Sequence, residues 1–166
     1  MENKWSHFKL RVNIRQPLDK VYAAWATPGG LESWFLRRAE IALGPPGIHR
    51  LPGESMEAGD HYAWYWHGYP DTLVEKEKII AANGVDHFAF TFSLGCPVSI
   101  SLYREFDETI VELIESELPT DEGTMLRHYV GDSRGWIFYL TNLKSVLEGG
   151  LDLRNRRAEL TNVITA

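Results

Sequence analysis

From Tyr62 to Leu118 the chain reads as one short strand after another, and beyond it only one stretch is regular enough to make a long helix. Tyr62 to His67 turns at Gly68-Tyr69-Pro70-Asp71 into Thr72 to Ala82, and Asn83-Gly84 is a hairpin signal because both residues tolerate positive φ. Phe88, Phe90 and Phe92 alternate with His87, Ala89, Thr91 and Ser93. After Gly95-Cys96-Pro97, Val98, Ile100 and Leu102 alternate with Ser99, Ser101 and Tyr103. Asp107-Glu108 then turns into Thr109 to Leu118, which Pro119 stops. Connections this short force antiparallel pairing. Trp136, Tyr139, Leu140, Leu143 and Leu147 fall at the three-and-four spacing of an amphipathic helix, with Asn142, Lys144 and Glu148 largely on the other side and Gly149-Gly150 as a stop. A sheet with one apolar face must be covered, and this helix is the only element large enough to cover it.

The upstream part supplies the other edge. Phe8, Leu10, Val12 and Ile14 alternate with Lys9, Arg11 and Asn13, which predicts a half-buried strand. Pro17 suits a first helical turn, Leu18, Val21, Tyr22 and Trp25 recur at helical spacing, and Pro28-Gly29-Gly30 breaks that helix. A second short helix is expected from Leu31 to near Trp34, and a strand from Arg38 to Leu43. Gly44 to Gly59, with three prolines and four glycines, reads as a long surface loop of the kind that covers a site or moves. The expected order is one strand, two short helices, about six more strands and a long helix. That is an α+β domain with an antiparallel sheet, and 166 residues suit one domain spanning 1–166.

Charge and composition narrow the partners. With 17 Lys and Arg against 23 Asp and Glu, the formal charge of −6 repels nucleic acid and anionic lipid. Arg154, Arg156 and Arg157 form the densest basic group and read as a solvated tail. Cys96 is the only cysteine, so an intrachain disulfide is excluded and a reducing compartment suits the chain. The start, MENKWSHFKLRVNI, lacks the apolar core of a signal peptide, and no run approaches membrane-spanning length, so the expected location is the cytoplasm without membrane insertion. The six histidines show no metal-binding spacing, Ser93, Ser99 and Ser101 lack a nucleophile elbow, and no Gly-rich phosphate loop opens a helix. Neither a metal nor a cofactor is expected, and the Cys96 thiol, in a tight turn, is expected to be inert.

PLDKVYAAWATPGGLESWFL and GWIFYLTNLKSVLEGGLDLR resemble the two signature segments of the homologues of the activator of the ninety-kilodalton heat-shock protein ATPase. Those proteins belong to the START-like (SRPBCC) superfamily, with the birch pollen allergen and the polyketide cyclases. The resemblance runs from about Phe8 to Arg154 and is carried by Val21, Trp25, Pro28, Leu31 and Trp34, then by Gly135-Trp136, Leu140, Leu143, Lys144, Leu147-Glu148 and Gly150. It implies a helix-grip fold: a curved seven-stranded antiparallel sheet wrapped around the C-terminal helix, with a cavity between them that often takes an apolar ligand. The eukaryotic activator has an additional N-terminal domain that makes part of its chaperone contact. This chain has no room for one, so chaperone contact is not expected.

In such a fold the inward set would be Tyr62, Trp64 and Trp66, Phe88, Phe90 and Phe92, and Val98, Ile100 and Leu102. Rings at strand spacing either fill the interior or wall a pocket, and alternation alone does not choose. If they wall a pocket, the expected ligand site comprises Tyr62, Trp64, Trp66, Phe88, Phe90, Phe92 and Tyr103 from the sheet, with Trp136, Tyr139, Leu140 and Leu143 from the helix. Glu115 joins them if Val111, Leu113 and Glu115 face inward, although the mixed outward set allows the reverse. Buried away from cations, it would have a raised pKa; at the cavity mouth it would meet water or Arg127. The leading expectation is a non-catalytic binding module for a small apolar molecule. A cyclase or dehydratase using a cavity acid, and a protein-interaction role, chaperone-linked or otherwise, through Tyr65, Ile110 and Ile114 on the outer face, are the alternatives, and Tyr65, His61 and His67 there also suit a homodimer or contact with the long loop.

Overall fold

The computed structural model describes residues 4–44 and 47–164, so Pro45 and Pro46 of the long loop and the first three residues of the N-terminal stretch lie outside the described residues. The chain runs β1 (Phe8–Ile14), α1 (Leu18–Ala26), α2 (Pro28–Trp34), β2 (Arg38–Ala42), β3 (His61–Tyr65), β4 (Glu75–Ala82), β5 (His87–Phe92), β6 (Cys96–Glu105) and β7 (Glu108–Glu115). A helical run follows: α3 (Glu122–Met125), a π-helical turn (Leu126–Val130) and α4 (Gly131–Leu147). The strands form one seven-stranded antiparallel sheet in the order β1-β7-β6-β5-β4-β3-β2. Consecutive hairpins therefore build β2 to β7, and α1 and α2 carry the chain from one edge of the sheet to the other. This is the expected helix-grip α+β architecture.

The first helix ends at Ala26, just before Pro28-Gly29-Gly30, as expected, but the second starts at Pro28 and not at Leu31. Thr27 caps α2 by accepting from the Gly30 N–H at 3.0 Å, and Pro28 occupies the first turn, where a missing N–H costs nothing. A Cβ on Gly30 would lie 2.2 Å from the Ala23 carbonyl, so only glycine permits α2 to fold back this closely on α1. The tight turn brings Trp34 against Trp25, with ring centroids 4.6 Å apart, and its indole N–H onto the Ala24 carbonyl at 2.9 Å.

Four further expectations are corrected. The C-terminal helical run begins at Glu122, well before Gly135, with Asp121 accepting from the Thr124 N–H as its cap. Asn142, placed by periodicity on the polar side, is fully buried: it donates to the Trp34 carbonyl at 2.7 Å and accepts from the Leu153 N–H at 2.7 Å. Arg154 is no solvated tail residue. Its guanidinium, 2% exposed, donates to the carbonyls of Glu32, Ser33 and Leu36 at the end of α2 and pairs with Asp152. Cys96 opens β6 instead of sitting in a turn, and burial pushes its thiol up to about 11. The long loop is tied down at one end. Met56 is buried with its N–H on the Ala26 carbonyl, and Arg50 holds the buried Asp60 through two hydrogen bonds.

Candidate functional site

Alternation places Tyr62 and Trp64 on the inner face of β3, Phe88 and Phe90 on that of β5, and Val98, Ile100 and Leu102 on that of β6, and all seven are buried. Around Trp64 the interior is solid. Tyr62 stacks on it at 3.8 Å, Phe90 meets it edge-on at 5.0 Å, and Phe35 closes the third side at 5.5 Å. The Tyr62 hydroxyl donates to the Thr91 carbonyl at 2.5 Å, and burial raises its pKa. Leu140 and Leu143 of α4 are part of the same packed cluster.

The open space lies at one end of this core. A pocket of about 390 Å³ is walled by Trp66 just past β3, Phe92 at the end of β5, Phe35 after α2, and Trp136 and Tyr139 on α4. Tyr69 and Leu73, from the segment between β3 and β4, stand at its mouth, and Glu75 and Asp132 supply its charged groups. Gly131 and Gly135, one turn apart on α4, complete the wall, and a Cβ on either would meet nothing within 4 Å. Missing side chains on one helix face are the local reason that space remains here and not around Trp64. A larger depression of about 670 Å³, between Arg15–Leu18 and Arg104–Glu108, is a wide surface hollow with no buried ionisable group.

Glu115 faces inward, as the first of the two parities predicts. It is completely buried, paired across β1 with Phe8 and across β6 with Val98, and it accepts from the Trp136 indole N–H at 2.9 Å. Its other oxygen, Oε1, has no hydrogen-bond partner among the described residues. Burial pushes its carboxyl up to about 8, and the neighbouring Asp132 charge adds to the rise. Arg127, the other partner considered for it, is exposed. Asp132 is also raised by burial, against the opposing pull of Ser93, His128 and Glu115. Burial of both acids favours keeping a proton on the pair, which titrates as one unit. His128 sits on the π-helical turn with Nδ1 3.1 Å from Ser93 Oγ and 3.6 Å from Asp132 Oδ2. Glu75 accepts from the Ser93 N–H at 2.9 Å, and burial raises its carboxyl in turn.

Of the residues expected to form a ligand site, the structure brings Trp66, Phe92, Trp136 and Tyr139 together at the pocket and seats Glu115 directly behind Trp136. Tyr62, Trp64, Phe88, Phe90, Leu140 and Leu143 lie in the packed core instead. Tyr103 points to the opposite face of the sheet, where its hydroxyl meets Glu112 at 3.3 Å and Arg11 lies over its ring, because it has the parity of Ser99 and Ser101. Phe35, Tyr69, Leu73, Glu75 and Asp132 were missed. For Asp132 a signal existed: extending the helical periodicity back from Trp136 by four residues puts it on the same face. On the outer face Arg38 lies 4.0 Å over the Tyr65 ring, Ile110 is buried and Ile114 is half-buried. Among the described residues no group of three His, Cys, Asp or Glu is placed to hold a metal, and no helix is long and apolar enough to cross a membrane.

No family model matches the chain, and no curated protein matches it. Solved structures do. A protein from Staphylococcus saprophyticus is 19% identical with a TM-score of 0.69, over 89% of this chain and 96% of the other. DynU16, a protein of the dynemicin biosynthetic locus, is 17% identical with a TM-score of 0.69 over 91% of this chain; the match spans 50% of DynU16. The Aha1 protein from Colwellia psychrerythraea, solved as a dimer, is 18% identical with a TM-score of 0.64 over 87% of this chain and 97% of the other. Identities this low carry the fold alone, and the fold is the START-like helix grip.

Proposed function

We propose that the chain is a single START-like domain, related to the Aha1 homologues, that holds a small, largely apolar molecule in the pocket between the end of the sheet and α4. The observation that carries this reading is the contrast within one interior. Aromatic rings pack solid around Trp64, yet rings of the same kind at Trp66, Phe92 and Trp136 stand around about 390 Å³ of space, within the range of small-molecule sites. An α4 face carrying glycine at 131 and 135 sustains that space, although each glycine weakens the helix by roughly 1 kcal/mol relative to alanine. Native mass spectrometry of the protein purified from its own host tests the proposal, and the expected result is an adduct of one small molecule per chain. Absence of any adduct, together with no uptake of the neutral dye N-phenyl-1-naphthylamine, would remove it.

A second reading, a cyclase or dehydratase, is favoured by one observation: Glu115 is buried in contact with Trp136 of the pocket wall, and burial holds its proton through neutral pH. Glu115 lies behind the wall, so Asp132 would have to pass that proton to a substrate. Mass analysis of the recovered ligand separates the readings. A molecule returned unchanged after incubation with fresh protein marks a carrier, and one altered by a molecule of water marks catalysis.

A further inference from the structure

The charged groups that line the pocket are of one sign. Glu75 and Asp132 line the space, Glu115 lies behind Trp136, and among the described residues no Lys or Arg is in the wall. Of the guanidiniums outside it, Arg37 pairs with Asp71, and Arg154 is spent on Asp152 and three backbone carbonyls. His128 is the one imidazole beside Asp132, and its Nδ1 lies nearer to Ser93 than to the carboxylate. Glu115 Oε1 and Asp132 Oδ2 both lack a hydrogen-bond partner among the described residues.

Carboxylates brought together in a poorly solvated site repel one another, and the side chains that line the pocket supply no cation. Burial is the largest cause of the raised pKa of Glu75, Asp132 and Glu115, and the Asp132 charge adds to the rise at Glu75 and Glu115. The walls add to the same field. Aromatic rings present negative charge on their faces, and Trp66, Phe92, Phe35 and Trp136 wall the same space that Asp132 and Glu75 line. An anion entering here would be repelled, and a neutral molecule would leave the repulsion in place. A cation would relieve it.

We infer that the ligand is an organic cation, an ammonium group carried on an aromatic or branched apolar body, with its charge set against Asp132 and Glu75 and its body against Trp66, Phe92 and Trp136. This inference rests on the pocket reading above and adds the charge of the ligand to it.

Three probes of one shape test it: the 2-phenylethyltrimethylammonium ion, its uncharged carbon isostere 3,3-dimethylbutylbenzene, and the 3-phenylpropionate anion, each titrated at micromolar concentrations and followed by tryptophan fluorescence. The ammonium should bind at least about tenfold more tightly than the isostere, and the propionate weakest of all. Glu75→Gln and Asp132→Asn should each lower ammonium affinity by about tenfold and leave the isostere within about twofold. Glu75 is partly exposed, so its variant keeps the test available should Asp132→Asn fail to fold. Calorimetry of ammonium binding in buffers of different ionisation enthalpy should show proton release, as the entering charge pulls down the raised carboxyl pKa values. If the isostere binds as tightly as the ammonium, and Trp66→Ala weakens both, the inference is wrong and the pocket reading stands. If none of the three probes binds, both are wrong.

Discussion

Trp64 and Trp66 stand two residues apart on the same face of the chain and live in different surroundings. Trp64 is completely buried, with Tyr62, Phe90 and Phe35 on three sides, while Trp66 is half-buried and walls the pocket. Alternation sets the face of the sheet. Depth along the strand decides whether a ring on that face meets other rings or open space. β3 ends at Tyr65, so Trp66 already lies beyond the last rung, opposite the part of α4 where Gly131 and Gly135 withhold side chains. The pocket is therefore where the sheet stops before the helix does.

The sharpest test of that contrast is truncation at the two positions. Trp64→Ala should lower stability by about 3–5 kcal/mol in urea unfolding, because a full indole leaves a rigid cluster that cannot collapse. Trp66→Ala should cost about 1 kcal/mol, since solvent already reaches the ring, yet abolish uptake of the neutral dye. Equal losses at both positions would break the distinction between a solid half and an open half.

Arg154 tests whether the open end depends on support from behind. Arg154→Ala leaves the carbonyls of Glu32, Ser33 and Leu36 without their donor and removes one of the cations paired with Asp152, and about 3 kcal/mol should be lost. Burial works against ionisation of Asp152, but the guanidiniums of Arg154 and Arg156 hold its carboxyl well below the usual range. Phe35 directly follows α2, so the same change should loosen the pocket wall and weaken dye binding as well.

Glu115 ties the two halves together and should give the protein an unusual pH dependence. Its folded pKa of about 8 lies above the roughly 4.3 of an unfolded glutamate, so between these values the folded state holds a proton that the unfolded state has released. Stability should therefore fall as pH rises from about 5 to about 8, by about 3 kcal/mol, and level off beyond. Asp132, and more distantly Glu75, face Glu115 with the same sign of charge and act in the same direction. Glu115→Gln keeps an acceptor for the Trp136 N–H and should flatten the slope. A wild-type protein equally stable at pH 5 and pH 8 in urea titrations would show Glu115 to be ordinary.

The smallest expected change is at Gly135. Gly135→Leu should raise the melting temperature by a few degrees, since leucine is the better helix former by roughly 1 kcal/mol and the space beside it is vacant. It should also fill the pocket and eliminate dye uptake. A variant that gains stability and still takes up dye would place the binding volume elsewhere.

Much of this molecule was legible before its coordinates. Hairpin turns and alternation assigned the strands, and the antiparallel pairing and the covering helix followed from short connections and an apolar face. The parity of Glu115 stayed open, because Ile110 and Ile114 make the other face of its strand apolar too. Other features were hidden for identifiable reasons. Proline followed by two glycines signals both a helix break and a helix start, and the difference lies in whether Thr27 folds back as a cap. Arg154 looked solvent-bound because local composition cannot show the three carbonyls, more than a hundred residues away, that it meets. Tyr69 and Leu73 sit in a turn, where periodicity assigns no face.

By itself the sequence determined which elements form and which side of each is apolar, because side-chain direction repeats with the local backbone period. Only the tertiary structure decided that the rings near Trp64 close on one another while those near Trp66 leave room, and that Asp132 joins Glu115 from across the interior. The end of a sheet, the crossing of a helix and the burial of a charge are properties of distances between distant segments, and no local period encodes them.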